Sequence, residues 1–191
     1  MTSGPGAMAG SMRSLWAAGA ALCALALAAA PRPAAAQSLE YPIKANYLVK
    51  FAAFVEWPPR AFQAAGAPFN VCVLGSDPFG SALDRVAAAH TVAGRPLVVR
   101  RLARVDARSG CHILYLGRAG EQSTHAALHA VAGQPVLTVT DEAWTRERGI
   151  IHFVIAANRV RFHIDDRPAG AAGLKISSRL LSLGLSVRGR G

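Results

Sequence analysis

The organisation of the chain is set by residues 69–79, which read FNVCVLGSDPF. Six mostly apolar residues of β-branched and aromatic type, followed by Gly75, are typical of a buried strand. Asp77 is a residue type favoured at helix N-caps, and Pro78 is one favoured at the first helical position. The stretch therefore predicts a strand, a turn and a helix that continues to about Ala89.

The same alternation extends in both directions from this unit. Upstream, apolar side chains recur at helical spacing from Pro42 to Glu56, with Lys44 and Lys50 off the apolar face, and Trp57-Pro58-Pro59 ends the helix. Downstream, strands are predicted at 97–102, at 111–117 (CHILYLG) and at 136–139. Helices are predicted around 121–131 and, after the turn Thr140-Asp141-Glu142, from there to about 149.

After residue 149 the pattern changes to two strands without a helix between them. Residues 150–156 and 159–164 flank Ala157-Asn158, and in the second run apolar and polar residues alternate. This predicts an antiparallel hairpin with one solvated face. Two helical segments, 165–172 and 176–185, and a basic tail with Arg188 and Arg190 close the chain. The predicted fold is α/β: a mostly parallel sheet with helices on both faces and a C-terminal antiparallel hairpin at its edge.

The N-terminal segment has the composition of an export signal. Arg13 precedes an uncharged, alanine- and leucine-rich run from Ser14 to Pro31, and Ala34-Ala35-Ala36 supplies a small-residue cleavage site. The run is shorter than the roughly 20 apolar residues that a membrane span needs, although an anchor remains the alternative. We expect residues 1–36 to be a leader and signal peptide cleaved near Ala36, and residues 37–191 to be a single exported domain.

Removal of this segment changes how the composition is interpreted. The 191-residue chain has a net charge of +10 and three cysteines; loss of Arg13, Arg32 and Cys23 leaves +8 and two cysteines. An exported protein meets no chromosome, so nucleic acid is not an expected partner. An anionic membrane surface, a peptidoglycan-associated partner or an acidic protein face stays open.

The two remaining cysteines, Cys72 and Cys111, each belong to a predicted buried strand. In a flavodoxin-like order the first and third strands are neighbours, which brings the two cysteines side by side. In an oxidising compartment such a pair would be joined. The alternative is two buried free thiols that behave as small apolar residues.

No motif in the chain predicts catalysis, a metal or a cofactor. His125 and His129 have the spacing of two metal ligands, but Ala126 stands where a zinc hydrolase has Glu, and no third ligand accompanies them. Gly75-Ser76-Asp77 and Gly117-Arg118-Ala119-Gly120 lack the lysine and glycine pattern of a P-loop. No serine lies in a G-x-S-x-G elbow. A small-ligand receptor module for a membrane sensor, with its site around Ser76 and Gly117 at the carboxyl ends of the strands, is the alternative function.

Several blocks together resemble one family. They are YLVKFAAFVEWP (47–58), VCVLGSDPFG (71–80), GCHILYL (110–116), GIIHFV (149–154), VRFHI (160–164) and LKISSRLL (174–181). In this combination the chain resembles the YfiR family of periplasmic regulatory proteins, from about Tyr41 to Leu183.

The resemblance implies a non-enzymatic, soluble periplasmic repressor that binds the periplasmic domain of an inner-membrane diguanylate cyclase and holds it inactive. Cyclic-di-GMP, and with it biofilm formation, would then depend on whether the repressor is bound. Release is expected through an OmpA-like outer-membrane lipoprotein or through redox damage to disulfides, and members form homodimers. Cys72 and Cys111 match the main family disulfide. The second cysteine pair that some members carry near the hairpin is absent, which argues against redox sensing.

The expected partner-contact residues belong to two segments. Arg161 and His163 lie on the hairpin, and the C-terminal segment contributes Lys175, Ser177, Ser178 and Arg179. Helix capping and a solvated sheet face are the alternative interpretation of the same side chains.

Overall fold

The computed structural model describes residues 37–189, together with residues 1, 2 and 4. The predicted apolar run, the cleavage site and Cys23 lie outside the described residues. Within them, no helix is both long and apolar enough to cross a membrane.

The domain alternates helices and strands along most of its length. The helices are α1 (Gln37–Ala53), α2 (Ser81–Ala88), α3 (Thr124–Ala130), α4 (Asp166–Ala171) and α5 (Ser178–Leu183). The longer strands are β2 (Phe69–Leu74), β4 (Arg95–Leu102), β5 (Ile113–Leu116), β6 (Leu137–Asp141), β7 (Ile151–Ala156) and β8 (Arg159–Asp165). The short ones are β1 (Val55–Glu56), β3 (Thr91–Val92), β9 (Lys175–Ile176) and β10 (Ser186–Arg188), and Pro59–Ala61 forms one 3-10 turn.

Eight strands form one sheet in the order β10-β8-β7-β6-β5-β2-β4-β3. The five strands from β4 to β7 are mutually parallel, β7 and β8 form the antiparallel hairpin, and β1 and β9 pair separately as a two-stranded sheet. The fold class predicted from sequence is confirmed: a mostly parallel sheet with helices and a C-terminal hairpin. The hairpin turns at Ala157 and Asn158, whose φ angles of 49° and 58° suit a two-residue turn between twisted strands.

Each face of the sheet has its own apolar core. On the first face, Leu48 and Phe51 of α1 and Leu83 of α2 pack on alternate side chains of the strands, such as Tyr115 and Phe162. On the second face, Ala127 of α3 packs over Cys72, Leu74 and Leu114. Helices therefore cover both faces, but α3 covers only the part of the second face near β2 and β5.

Two predicted helices have wrong boundaries. The first helix begins at Gln37 rather than Pro42 and ends at Ala53, and Val55–Glu56 pairs as a strand with Lys175–Ile176. Pro42 lies inside this helix, where it removes one backbone hydrogen bond, and the Lys44–Glu40 ion pair spans the same turn. The second helix begins at Ser81 rather than Pro78, because the Asp77 carboxylate accepts the Phe79 N–H at 2.7 Å and closes a separate turn before it.

Three further predictions near the C-terminus need correction. Residues 142–149 form a turn at 142–144 followed by irregular chain rather than a helix, because Asp141 ends β6 with its carboxylate buried instead of capping a helix. The predicted helix 176–185 is shorter, Ser178–Leu183, and is preceded by β9. The predicted basic tail contains β10, which pairs parallel to β8, so the hairpin does not form the edge of the sheet.

Candidate functional site

Cys72 and Cys111 are joined by a disulfide, with their Cα atoms 5.7 Å apart. Cys72 lies in the middle of β2, and Cys111 immediately precedes the neighbouring strand β5. Both side chains are buried in the core of the second face, beneath Ala127 and Val131. The disulfide therefore connects two adjacent strands inside a packed core and is a structural element of the domain.

A buried ionic cluster lies on the opposite face, where α1 crosses the carboxyl ends of β5 and β6. The Lys44 ammonium is fully buried and contacts the carboxylates of Asp141 and Glu40, each at 2.5 Å. Tyr115 donates its hydroxyl proton to the same Asp141 oxygen at 3.0 Å. The Trp144 indole N–H in turn donates to the Tyr115 oxygen at 3.0 Å.

The electrostatics of this cluster favour a fixed pattern of protons. Burial and the Asp141 charge raise the pKa of the Tyr115 phenol, and the same two causes raise the pKa of Tyr41 to about 12. Both phenols therefore remain protonated at physiological pH. The second Asp141 oxygen accepts the Ala143 N–H at 3.1 Å, so donors engage both oxygens of this buried carboxylate. Such a fully satisfied network holds α1 on the sheet and leaves Asp141 no role as a base toward a ligand.

Sequence reasoning missed this cluster. Lys44 was expected on the solvated face of its helix and Asp141 at the start of another helix. One signal was available: Tyr115 lies near the end of one predicted strand and Asp141 two residues after the end of the next, and polar side chains at that position need a partner when a helix covers them.

Four of the six expected partner-contact residues lie together. Lys175 of β9 is exposed and pairs with Glu56 of β1 at 3.6 Å. Ser177 caps α5 by accepting the Leu180 N–H at 3.3 Å, and its own N–H donates to the Phe54 carbonyl. Ser178 and Arg179 follow in α5 and are exposed. We call Lys175, Ser177, Ser178 and Arg179 the C-terminal ledge.

The other two, Arg161 and His163, lie on the opposite face of the sheet. Phe162 between them packs on Phe51 of α1 with ring centroids 5.2 Å apart, so its neighbours in β8 point the other way. Within the C-terminal ledge, Lys175 and Ser177 flank Ile176, and Ser178 and Arg179 precede Leu180. Ile176 and Leu180 both belong to the core on the α1 side. The structure therefore does not join the two groups into one surface.

The loops after β2 and β5, where a ligand was the alternative expectation, touch each other directly. The Ser76 N–H donates to the Arg118 carbonyl at 3.1 Å. A Cβ on Gly75 would lie 2.2 Å from the Arg118 oxygen, and one on Gly117 would lie 2.2 Å from the Ser76 oxygen. Backbone atoms thus fill the space between Ser76 and Gly117. His125 and His129 lie on α3, and His125 is exposed and contacts Glu147 at 3.5 Å.

A comparison with known protein families identifies the family of the domain. The family model described as YfiR/HmsC-like matches residues 41–184. The chain belongs to the YfiR/HmsC-like family. No curated protein matches the chain significantly. The YfiR/HmsC-like match runs from α1 to the residue after α5, so it includes the disulfide, the C-terminal ledge and all of the buried ionic cluster except Glu40. The family is periplasmic, and it is regulatory rather than catalytic.

Proposed function

We propose that this YfiR/HmsC-like protein is a non-enzymatic periplasmic repressor of an inner-membrane diguanylate cyclase. It binds the periplasmic domain of the cyclase and holds the enzyme inactive, which lowers cyclic-di-GMP and restrains biofilm formation. The family match over residues 41–184 carries this proposal, since it covers nearly all of the described domain. The protein reaches the periplasm through a signal peptide cleaved near Ala36, and residues 37–191 act as one domain.

The buried disulfide supports this location. Disulfides persist in oxidising compartments such as the periplasm and are rare in the cytosol. Cys72 and Cys111 are enclosed by the second core, so the bond contributes to the stability of the domain in its working compartment. An exposed, easily reduced bond would suit a redox sensor better.

We assign the cyclase contact to the C-terminal ledge rather than to the hairpin. Arg179 and the exposed Leu183 are four residues apart in α5 and therefore share one side of this helix. Arginine is enriched at protein interfaces and among the residues that carry most of the binding energy, and Leu183 adds exposed apolar area beside it. His163 is half-buried and already bonded through Nδ1 to the Ser186 hydroxyl at 2.6 Å.

The repressor forms a homodimer in this proposal, and an OmpA-like outer-membrane lipoprotein relieves repression by sequestering it. Both steps follow the family resemblance. They predict that the lipoprotein and the cyclase compete for the repressor, which a three-component binding assay measures directly.

The binding test uses the purified exported protein and the periplasmic domain of a diguanylate cyclase encoded beside its gene. Biolayer interferometry should detect binding, and the double variant K175E/R179E should weaken it at least tenfold. The matched control R161E reverses a charge on the opposite face and should leave binding unchanged. If no genomically adjacent sensor binds the protein, the proposed function is wrong; if R161E alone weakens binding, the contact is on the hairpin.

A further inference from the structure

A row of polar side chains crosses the second face of the sheet, beyond the part that α3 covers. Thr140, His152, His163 and Ser186 come from β6, β7, β8 and β10, and each is directly opposite the next in the strand registers. Thr140 Oγ1 lies 2.8 Å from His152 Nδ1, and Ser186 Oγ lies 2.6 Å from His163 Nδ1. Both imidazoles therefore form their hydrogen bonds within the row through Nδ1, and Nε2 has no partner in the row.

The hydrogen bonds of Thr140 leave Nε2 of His152 outside the row. The Thr140 hydroxyl oxygen accepts the Gly149 N–H at 2.9 Å. His152 Nδ1 lies 2.8 Å from this oxygen, and the Ile151 carbonyl lies 3.4 Å from it. Two neutral tautomers fit: Nδ1 accepts the hydroxyl proton, or Nδ1–H donates to the hydroxyl oxygen, whose proton then goes to Ile151. In both cases the row does not use Nε2, which donates a hydrogen bond in the first tautomer and in the protonated imidazole.

A small cavity of about 50 Å³ opens beside this row, with Arg148, Gly149, His152, His163, Ser186 and Arg188 among its lining residues. A water needs roughly 10–15 Å³ by the same measure, so the cavity accommodates a group of about four heavy atoms. That is the size of a carboxylate or a small phosphate group. The lining supplies donors and, through Arg148 and Arg188 against the single carboxylate of Asp165, a net positive charge.

The neighbouring carboxylates do not neutralise Arg148. Glu147 contacts His125, Asp165 contacts Arg167 and Arg188, and Glu142 accepts the Ile155 N–H. Arg148 is exposed and, among the described residues, has no carboxylate of its own. The pKa of both His152 and His163 is lowered, first by burial of the imidazoles and second by the positive charge of Arg148. An unpaired guanidinium beside two imidazoles is an arrangement that an anion would stabilise.

The polar cavity continues into an apolar groove, because Arg148 and Gly149 line both. The groove has a volume of about 290 Å³ and lies between α3 and α4, with Leu128, Val131, Val136, Ile150, Pro168 and Ala171 among its lining residues. An apolar cavity of nearly 300 Å³ with a few convergent polar groups at one end is typical of a small-molecule site.

We propose that this face binds a small organic anion with an apolar body, its carboxylate or phosphate beside Arg148, His152 and His163 and its body in the groove. The C-terminal ledge lies on the other side of the sheet, so this site does not depend on the proposed repressor function. It also differs in place from the Ser76–Gly117 crevice, which backbone atoms fill.

The test is isothermal titration calorimetry of the exported protein with three probes. Octanoate carries both charge and apolar body, 1-octanol carries the body alone, and inorganic phosphate carries charge alone. We expect octanoate to bind at least tenfold more tightly than either of the others. Amide resonances of Gly149 and Ser186 should shift on addition of octanoate, which locates the site independently of affinity.

Two exposed arginines provide a matched pair of variants. R148Q removes a charged hydrogen-bond donor from the site and should weaken octanoate about 10- to 100-fold. R146Q removes the same charge from an exposed position two residues away and should leave affinity unchanged. The proposal is overturned if octanoate gives no binding, if 1-octanol binds as tightly, or if R148Q binds like the wild type.

Acidification supplies a second readout. The charged and titratable groups that face His152 and His163 are Arg148, Glu142, Asp141 on the far side of β6, and the two histidines themselves. The same cavity also contains the ion pair of Asp165 with Arg188. Because protonation of either imidazole adds positive charge, octanoate should bind more tightly as pH falls from 7.5 to 5.5. H163Q should reduce this pH dependence while retaining binding at pH 7.5. Affinity that is independent of pH would contradict the assignment of the histidines to the site.

Discussion

Lys44 and Asp141 are 97 residues apart in the chain, yet the ammonium nitrogen lies 2.5 Å from a carboxylate oxygen and neither side chain is exposed. This pair connects α1 to the end of β6 across the first core. Since Glu40 and Tyr115 complete the coordination, removing either charge leaves the other buried without its partner. The position of α1, and of the β1–β9 pairing that follows it, depends on this contact.

Loss of the Lys44 charge should destabilise the domain strongly. K44M leaves Asp141 buried and unpaired, and breaking a buried pair in this way costs about 3–5 kcal/mol. K50M, which removes an exposed lysine from the same helix, should change the free energy of unfolding by less than about 0.5 kcal/mol. Urea unfolding measures both. The double variant K44M/D141N should recover part of the loss, whereas equal stability of K44M and K50M would show that the pair is not buried.

Reduction of the Cys72–Cys111 disulfide should lower the melting temperature. The two cysteines are 39 residues apart, and the chain-entropy model gives about 4 kcal/mol for a loop of this length. For a domain of this size that corresponds to a decrease on the order of 10 °C. Differential scanning calorimetry of the C72A/C111A variant checks the value, with the wild type under oxidising conditions as reference. An unchanged melting temperature would mean that the bond contributes nothing to stability.

Acid should destabilise the domain through His112. This imidazole stacks between Phe62 and Phe69, and its Nδ1 accepts the Asn70 N–H at 3.0 Å. Burial lowers its pKa from 6.5 to about 4. The unfolded chain therefore binds a proton more readily, so stability is complete above the unfolded pKa and is lost as pH falls from 6.5 towards 4.

The contribution of His112 between pH 7.5 and pH 5 should be about 2 kcal/mol by linkage. Unfolding free energies measured across this range in the wild type and in H112Q separate the effect, because only the slope with pH is compared. H112Q should have the shallower slope. Identical slopes would mean that His112 titrates normally in the folded protein.

The sheet and its order follow from local patterns in the sequence. The strand-and-turn unit at Cys72 and the similar run after Cys111 each contain their own strand signal, and the rule for doubly wound sheets places them side by side. The hairpin is equally local, since Ala157-Asn158 lies between two strand-like runs and the second alternates apolar and polar residues. These elements required no knowledge of distant contacts.

The missed features depend on contacts between distant parts of the chain. Lys44 is buried only because Asp141 lies opposite it, and helix periodicity alone places a lysine in solvent. Asp141 is a residue type favoured at helix starts. Its carboxylate instead binds Lys44 and Tyr115, and the residues that follow form a turn rather than a helix. Ser186–Arg188 becomes a strand because β8 has a free edge, which no local pattern in a basic tail indicates.

Repression of a membrane diguanylate cyclase is tested most directly by the activity of that enzyme. Membranes that contain a diguanylate cyclase with a periplasmic domain, from the same organism, are supplied with GTP, and cyclic-di-GMP is measured with and without the purified protein on the periplasmic side. We predict that wild-type protein and R161E both suppress synthesis to a saturable minimum, and that K175E/R179E does so only at tenfold or higher concentration. Cyclic-di-GMP synthesis that is unchanged at saturating wild-type protein would show that the protein does not repress the cyclase.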